Sequence, residues 1–392
     1  MKICDIVQFH SPLSGGIKRY VSDKIRFVAT REDMEHVVII PGARNRVRVE
    51  GRSRIHEIRS LPMIGSTSYR MLLSRKQILR ILDEEAPDLI EVGDPYRSAW
   101  VGVEYARKRG CPVIAYYHSE YPRAFGRTAE KFLGPIGRDA TSWVIDGYLA
   151  RLHNLMDVTV VATERVKETL KAIGIQRIVR IPLGTDTEVF RPCATREEIL
   201  QELDLTRFRR LIVYAGRIAR EKHVLKLFPM MDRLRSRIPG CHLLIVGDGE
   251  ERRKVERLAA GRNDVTWLPY RESPRDLARF YSAADLCVYP GDSETFGLVS
   301  IEAQSCGART LVIRGGGADD TVEGETPAVL ADAPTGEALA EAAARLLSIP
   351  ETSEDRLRRR ARIVAHFSWR KTYTDLTELY RRLCRSTKRL AA

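Results

Sequence analysis

Two glutamates, Glu294 and Glu302, are separated by seven residues in Glu294-Thr-Phe-Gly-Leu-Val-Ser-Ile-Glu302-Ala-Gln-Ser-Cys-Gly307. Leu286 to Pro290 ahead of them is apolar and β-prone, Gly291 to Gly297 is a polar loop, and Leu298 to Ser305 reads as the start of a helix. The spacing therefore sets both carboxylates about one helix N-terminus. Unpaired backbone N–H groups and the positive end of the helix dipole suit phosphate or sugar oxygens there, while each carboxylate can accept from a pair of vicinal hydroxyls. A sugar nucleotide offers both kinds of partner. A helix-start glutamate and a solvated one would produce the same pattern, so the pair has to be read with its neighbours.

Val213-Tyr-Ala-Gly216-Arg217-Ile-Ala-Arg220-Glu-Lys222 offers a strand, a glycine and two cations five residues apart, Arg217 and Lys222, on a loop leading into a helix. Arginine supplies a planar fork and lysine a point charge, and together they can neutralise a diphosphate leaving group in place of a metal. Surface cations are the plainer alternative. His118 ends the strand pattern Val113 to Tyr117, at the edge where open α/β sheets bind ligands, and a neutral imidazole there can donate to a sugar hydroxyl. A lone strand-end histidine is more often structural. Gly15-Gly16 follows the first strand and opens a helix, which allows close backbone approach to a ligand but also fits an ordinary turn. The chain has no Asp-x-Asp, no His/Cys cluster at metal-ligand spacing and no glycine loop ending in Gly-Lys-Ser/Thr. These absences argue against a bound metal and against a nucleotide triphosphatase.

Short β-like runs alternate with helical patterns and would position these groups: Ile3 to Gln8, Glu35 to Ile40, Leu89 to Val92, Val113 to Tyr117, Val158 to Ala162 and Ile178 to Pro182. After a charged stretch from Arg191 to Arg210 the alternation restarts with Leu211 to Gly216, Cys241 to Gly247, Val265 to Leu268, Leu286 to Tyr289 and Arg309 to Ile313. The expectation is α/β with mostly parallel sheets in two domains, within the two or three that 392 residues suggest. A helical stripe of Phe367, Trp369, Tyr373, Leu376, Leu379, Tyr380 and Leu383 closes the chain and should dock on a core.

Apolar residues make up 44% and charged residues 30%, an ordinary globular composition. Seven scattered cysteines without Cys-x-x-Cys read as reduced thiols, and the lack of a leader or a spanning apolar run points to a cytoplasmic protein. Net charge is +13 and uneven: residues 1–182 carry 30 Lys and Arg against 21 Asp and Glu, and 183–392 carry 35 against 31. A basic first half, with Arg70, Arg75, Lys76 and Arg80 on or near one helix, makes an anionic membrane surface a candidate partner; a solvated face is the alternative.

The acid segment, with Phe296-Gly297 between the glutamates and Cys306-Gly307 after them, resembles the signature of retaining glycosyltransferases of family 4, the group 1 glycosyltransferases. Gly15-Gly16-Ile-Lys-Arg-Tyr-Val21, His118-Ser119, Ile181-Pro-Leu-Gly184 and Gly216-Arg217 through Lys222 resemble further landmarks of that family, in family order. Departures are Lys18 in the glycine loop, His223 for a usual glycine, Pro269 where main-chain groups read the base, and Asp320 for a usual glutamate.

The resemblance implies a GT-B fold, two Rossmann-like domains with parallel sheets facing a central cleft. The expected division is an acceptor domain at 1–190, a nucleotide-sugar donor domain at 191–368, and a C-terminal helix at 369–392 crossing back to the first domain. It further implies transfer of a hexose from a nucleotide diphosphate sugar to an acceptor hydroxyl with retention, and no cofactor or metal beyond the donor itself. Arg217 and Lys222 would hold the diphosphate and Glu302 the ribose. Glu294 with the backbone of Phe296, Gly297 and Leu298 would hold the donor sugar, and His118 with Gly15 and Gly16 would orient the reacting centre. GDP-mannose and a lipid-linked glycan or glycolipid acceptor are the first expectation, with a location peripheral to the inner face of the cell membrane. UDP-glucose or UDP-galactose in polysaccharide synthesis, or a non-catalytic nucleotide-sugar-binding protein, are the alternatives. No nucleic-acid partner is expected.

Overall fold

Leu89-Ile-Glu-Val92 and Val113-Ile-Ala-Tyr116 lack the polar alternation of half-exposed strands, as expected for strands covered on both faces by helices. They lie inside a parallel sheet. The structure is a computed structural model that describes residues 1–10, 15–63, 69–119, 141–324 and 330–391. The chain forms two compact units, Met1–Pro182 together with Thr372–Ala392, and Leu183–Lys371.

The first unit holds β1 (Lys2–Ile6), β2 (Glu35–Gly42), β3 (Arg46–Glu50), β4 (Ser53–Arg59), the short β5 (Leu61–Pro62) and β6 (Arg70–Met71), β7 (Leu89–Val92), β8 (Val113–Tyr116), β9 (Val158–Val161) and β10 (Ile178–Arg180). Eight of them form one sheet in the order β10-β9-β8-β7-β1-β2-β4-β3, parallel except for the β3–β4 hairpin. Helices α1 (Gly16–Ala29), α2 (Arg75–Glu85), α3 (Arg97–Arg109), α4 (within 141–153) and α5 (Glu164–Ala172) connect them. Ile6, Ile39, Ile90, Val92, Ala99 and Leu152 share one core on this sheet.

The second unit contains β11 (Arg210–Ala215), β12 (Cys241–Val246), β13 (Val265–Leu268), β14 (Leu286–Tyr289), β15 (Thr310–Ile313) and β16 (Leu330–Ala331) in the order β13-β12-β11-β14-β15-β16, all parallel. Its helices are α6 (Arg196–Glu202), α7 (Leu227–Arg237), α8 (Arg252–Ala260), α9 (Pro274–Ala283), α10 (Leu298–Ser305), α11 (Gly336–Ser348) and α12 (Ser353–His366). Residues 183–190, placed before the domain boundary in the sequence reading, belong to this unit. Thr185 pairs with Ser368, Arg360 donates to the carbonyls of Thr187 and Phe190, and a Cβ on Gly184 would stand 2.3 Å from the Trp369 nitrogen.

The last helix, α13 (Trp369–Ala391), leaves the second unit and from Thr372 packs on the first. Thr372 Oγ1 donates to Pro182 O, Tyr373 Oη to Tyr20 O at 2.6 Å, and Cys384 Sγ to Asp88 O. All seven cysteines are free thiols, and among the described residues no helix is long and apolar enough to cross a membrane.

Candidate active site

In an open parallel sheet, neighbouring strands whose connections leave in opposite directions open a crevice between their C-terminal loops. In the second unit that place lies between β11 and β14, which pair through Ile212 with Leu286 and Val213 with Cys287. The loop after β11 carries Arg217 and Lys222; the loop after β14 carries Glu294. Sequence positions 72 apart thus meet, and Lys222 Nζ donates to Glu294 Oε1 at 2.5 Å. Both side chains are about one-fifth exposed, so the pair is open to a ligand. His223 adds a second bridge between the loops, its Nε2 standing 3.2 Å from Asp292 Oδ1. Burial would raise Asp292, but its bonds to Ser293 and His223 hold its carboxyl below the usual range. His223 takes φ +52°, the left-handed conformation that explains why a glycine suits this position.

Arg217 turns instead to Glu221, NH2 to Oε1 at 2.7 Å, and its side chain is 64% exposed. Its backbone is fixed, because Tyr214 Oη donates to Arg217 O at 2.8 Å. Two glycines let the strand ends close up. A Cβ on Gly247 would stand 1.9 Å from Gly216 O, and Gly297, at φ +93°, would drive one to 2.6 Å from Ala318 Cβ. Gly297 caps α10; Ser300 N donates to Gly297 O at 3.0 Å, and the helix start places the earlier N–H groups before any helical acceptor. The Phe296 side chain is buried with its ring 6.0 Å from Phe367, so what it can offer a ligand is its backbone. Glu302 sits on α10 and is buried, 2% exposed, whereas Glu294 is about one-fifth exposed. Gly315-Gly316-Gly317 packs beside the acid loop, where Glu294 N donates to Gly316 O at 3.2 Å. Among the described residues no group of three His, Cys, Asp or Glu side chains is placed to hold a metal ion.

The first unit has its own switch point between β1 and β7. Gly15 and Gly16 are exposed and begin α1; residues 11–14 of that loop lie outside the described residues. Gln8 N donates to Asp94 Oδ2 at 2.6 Å across the switch point, and burial lifts the Asp94 carboxyl to about 6. His118 follows β8, with Glu120 beyond it outside the described residues. The imidazole stacks on Tyr116 (4.5 Å between centroids, 13° between planes) and meets the Tyr20 ring edge-on at 4.8 Å. Burial, then the Lys24 charge, pulls His118 down to about 3, so it stays neutral at ordinary pH.

Beneath these loops lies a charged cluster that the sequence reading did not select. Lys24 Nζ donates to Asp5 Oδ1 at 2.8 Å and stands 3.1 Å from Glu91 Oε2, while Asp5 Oδ2 is 3.2 Å from His36 Nε2. All four residues are buried. Burial alone would raise Asp5, but Lys24 and His36 hold it at about 2; burial lifts Glu91. The available signal was a carboxylate inside each of two otherwise apolar runs, Ile3-Cys-Asp5-Ile and Leu89-Ile-Glu91-Val. Arg75 and Arg80, expected on a basic face, are balanced by Glu104 and Glu84, and Arg70 donates to Ser60 O.

Solved structures share this architecture. Sucrose-phosphate synthase from Thermosynechococcus elongatus superposes with a TM-score of 0.77 at 23% identity, covering 98% of this chain and 100% of that one. A glycosyltransferase from Rickettsia africae gives 0.71 at 18% identity, covering 97% and 98%. The fold is that of the GT-B glycosyltransferases. Residues 14–189 match the family profile described as Glycosyltransferase Family 4, and residues 195–364 the profile described as Glycosyl transferases group 1. The chain belongs to this family, the group 1 glycosyltransferases. A GDP-mannose-dependent alpha-(1-6)-phosphatidylinositol dimannoside mannosyltransferase of Mycobacterium tuberculosis is 27% identical over 380 residues, 96% of this chain and 95% of that protein. A D-inositol 3-phosphate glycosyltransferase of Segniliparus rotundus is 34% identical over 218 residues, 53% of this chain and 47% of that one.

Proposed function

We propose that this glycosyltransferase is a retaining, metal-independent hexosyltransferase that moves mannose from GDP-mannose to a hydroxyl of a lipid-linked glycan or glycolipid. The observation that carries the reading is the Lys222–Glu294 contact at the switch point, a cation for a diphosphate beside a carboxylate for sugar hydroxyls. An ammonium has three donors, so Lys222 can keep Glu294 and still reach a phosphate oxygen. Arg217, exposed and anchored by its backbone, supplies the second cation for the leaving group. Glu302 is assigned to the ribose, the backbone of Phe296, Gly297 and Leu298 to the sugar, and His118 with Gly15 and Gly16 to the reacting centre. Mannose is favoured by the mycobacterial relative, whose name specifies GDP-mannose.

The reading is tested with purified protein and UDP-, GDP- and ADP-sugars without added metal, following melting temperature and slow donor hydrolysis. GDP-mannose at a hundredfold excess over Kd should stabilise the fold by about 2.7 kcal/mol. Slow hydrolysis should survive EDTA. Stabilisation by UDP-glucose or UDP-galactose alone would move the donor to the polysaccharide-synthesis alternative, and no response to any nucleotide would overturn the enzymatic reading.

A lipid-linked acceptor requires the protein to work at a membrane surface, on the cytoplasmic side where nucleotide sugars are made. Balanced charges on α2 weaken the basic-face argument, but α4 exposes Trp143 (78%), Val144 (60%) and Tyr148 (39%). Such side chains favour the interfacial zone of a bilayer. Sedimentation with anionic liposomes is expected, and Trp143→Ser with Val144→Ser should weaken it several-fold. Absence of binding at low salt would sink the membrane proposal.

A further inference from the structure

We propose that the last helix of the chain positions His118, acting through Tyr373, Tyr380 and Tyr20. The inference deepens the reading above, in which His118 faces the reacting sugar. His118 has no rigid support of its own, since it lies in the loop beyond the last residue of β8. Its ring is set by two tyrosines, stacked on Tyr116 and met edge-on by Tyr20. Each tyrosine is tied at its far end. Tyr116 Oη donates to Ile181 O at 2.7 Å, and Tyr20 Oη donates to Glu91 Oε1 at 2.6 Å.

The second tie leads to α13. Tyr380 Oη donates to the other oxygen of the same carboxylate, Glu91 Oε2. Tyr373 Oη donates to the backbone carbonyl of Tyr20, and its ring stands 5.7 Å from the Tyr20 ring. Lys24 Nζ lies 5.3 Å from the ring centroids of both Tyr20 and Tyr380. Tyr20 is therefore held at its hydroxyl, its ring and its carbonyl, and α13 contributes to all three. Tyr20 also lies in the first turns of α1, so the same grip fixes the helix that begins at Gly16. All these residues belong to one compact unit. A buried hydrogen-bonded network of this kind rigidifies what it touches, and small misplacements of a reacting group are costly in rate.

Tyr380→Phe and Tyr373→Phe remove single hydroxyls and keep the rings. Tyr105→Phe is the control, because Tyr105 Oη makes an equally buried bond, to Leu82 O at 2.7 Å, that has no part in holding His118. The imidazole resonances of His118, assigned with His118→Ala, should shift or broaden in the two α13 variants and stay put in Tyr105→Phe. In the same variants kcat should fall on the order of tenfold with donor KM little changed, because the residues assigned to the donor's diphosphate and ribose lie in the other unit. Unmoved His118 resonances in folded Tyr380→Phe and Tyr373→Phe protein would overturn the proposal. His118→Ala tests the underlying reading separately: unchanged kcat there removes His118 from the reaction whatever the resonances do.

Discussion

Lys222→Ala is expected to lower sugar transfer on the order of a hundredfold while leaving the fold intact. The ammonium lies at the switch point of the second sheet, on the loop after β11, and its bond to Glu294 ties it to the loop after β14. When the bond from sugar to phosphate breaks, negative charge grows on the diphosphate, and a fixed cation lowers the energy of that state more than that of the bound donor. Loss of one such contact is worth about 2 to 4 kcal/mol of transition-state stabilisation. Stability should change little, because both partners are partly solvated and an exposed ion pair contributes about 0 to 1 kcal/mol. The effect should therefore appear in kcat/KM with an unchanged melting temperature. Glu294→Gln keeps the shape of the pair and removes its charge, and it should fall by a comparable factor. Near-full transfer by Lys222→Ala with the intact protein's donor would disprove the assignment of the diphosphate to this loop.

Much of this arrangement was legible in the chain. The β-strands from Leu89, Val113, Val158, Val265 and Leu286 were located to within a residue because each is a short apolar run bounded by polar turns. Leu298–Ser305 was found as a helix because a glycine and a polar loop precede it. The β3–β4 hairpin was missed. Its first strand, Arg46-Val-Arg-Val-Glu50, alternates charged with apolar residues but carries too much charge to stand out, and its second, Ser53-Arg-Ile-His-Glu-Ile-Arg59, sets its isoleucines three apart, off a period of two. Within the site, Lys222 and Glu294 were singled out separately, but their contact depends on β11 and β14 being neighbours, which no local pattern encodes. The Tyr373 and Tyr380 stripe predicted docking of the last helix, but Glu91 as its anchor is a tertiary fact. No local pattern sets Lys24 apart from a surface cation on a polar helix.

Lys24→Met should cost about 3 to 5 kcal/mol, the range for removing one partner of a buried ion cluster. The Lys24 side chain is 2% exposed, and Asp5 and Glu91 depend on it, so its loss strands two carboxylates inside the first unit. The methylene stem is retained in methionine, which limits the packing loss and makes charge the cause. The pH dependence identifies the mechanism. In the intact protein Asp5 is held at about 2, so its contribution is present above the unfolded value of roughly 3.9 and lost as pH falls through about 2. In Lys24→Met both buried carboxylates lose the ammonium, which leaves Asp5 with His36 alone, and burial raises them, so protonation relieves the variant as pH falls. The stability gap between the two proteins should therefore be widest near neutrality and close toward about pH 4. Adding Asp5→Asn and Glu91→Gln to Lys24→Met should recover much of the loss at neutral pH, since the stranded charges are then gone. Urea unfolding monitored on the transition of the first unit reads all three effects. A gap independent of pH, with no recovery in the triple variant, would show that Lys24 acts through packing and not as the counter-charge beneath the site.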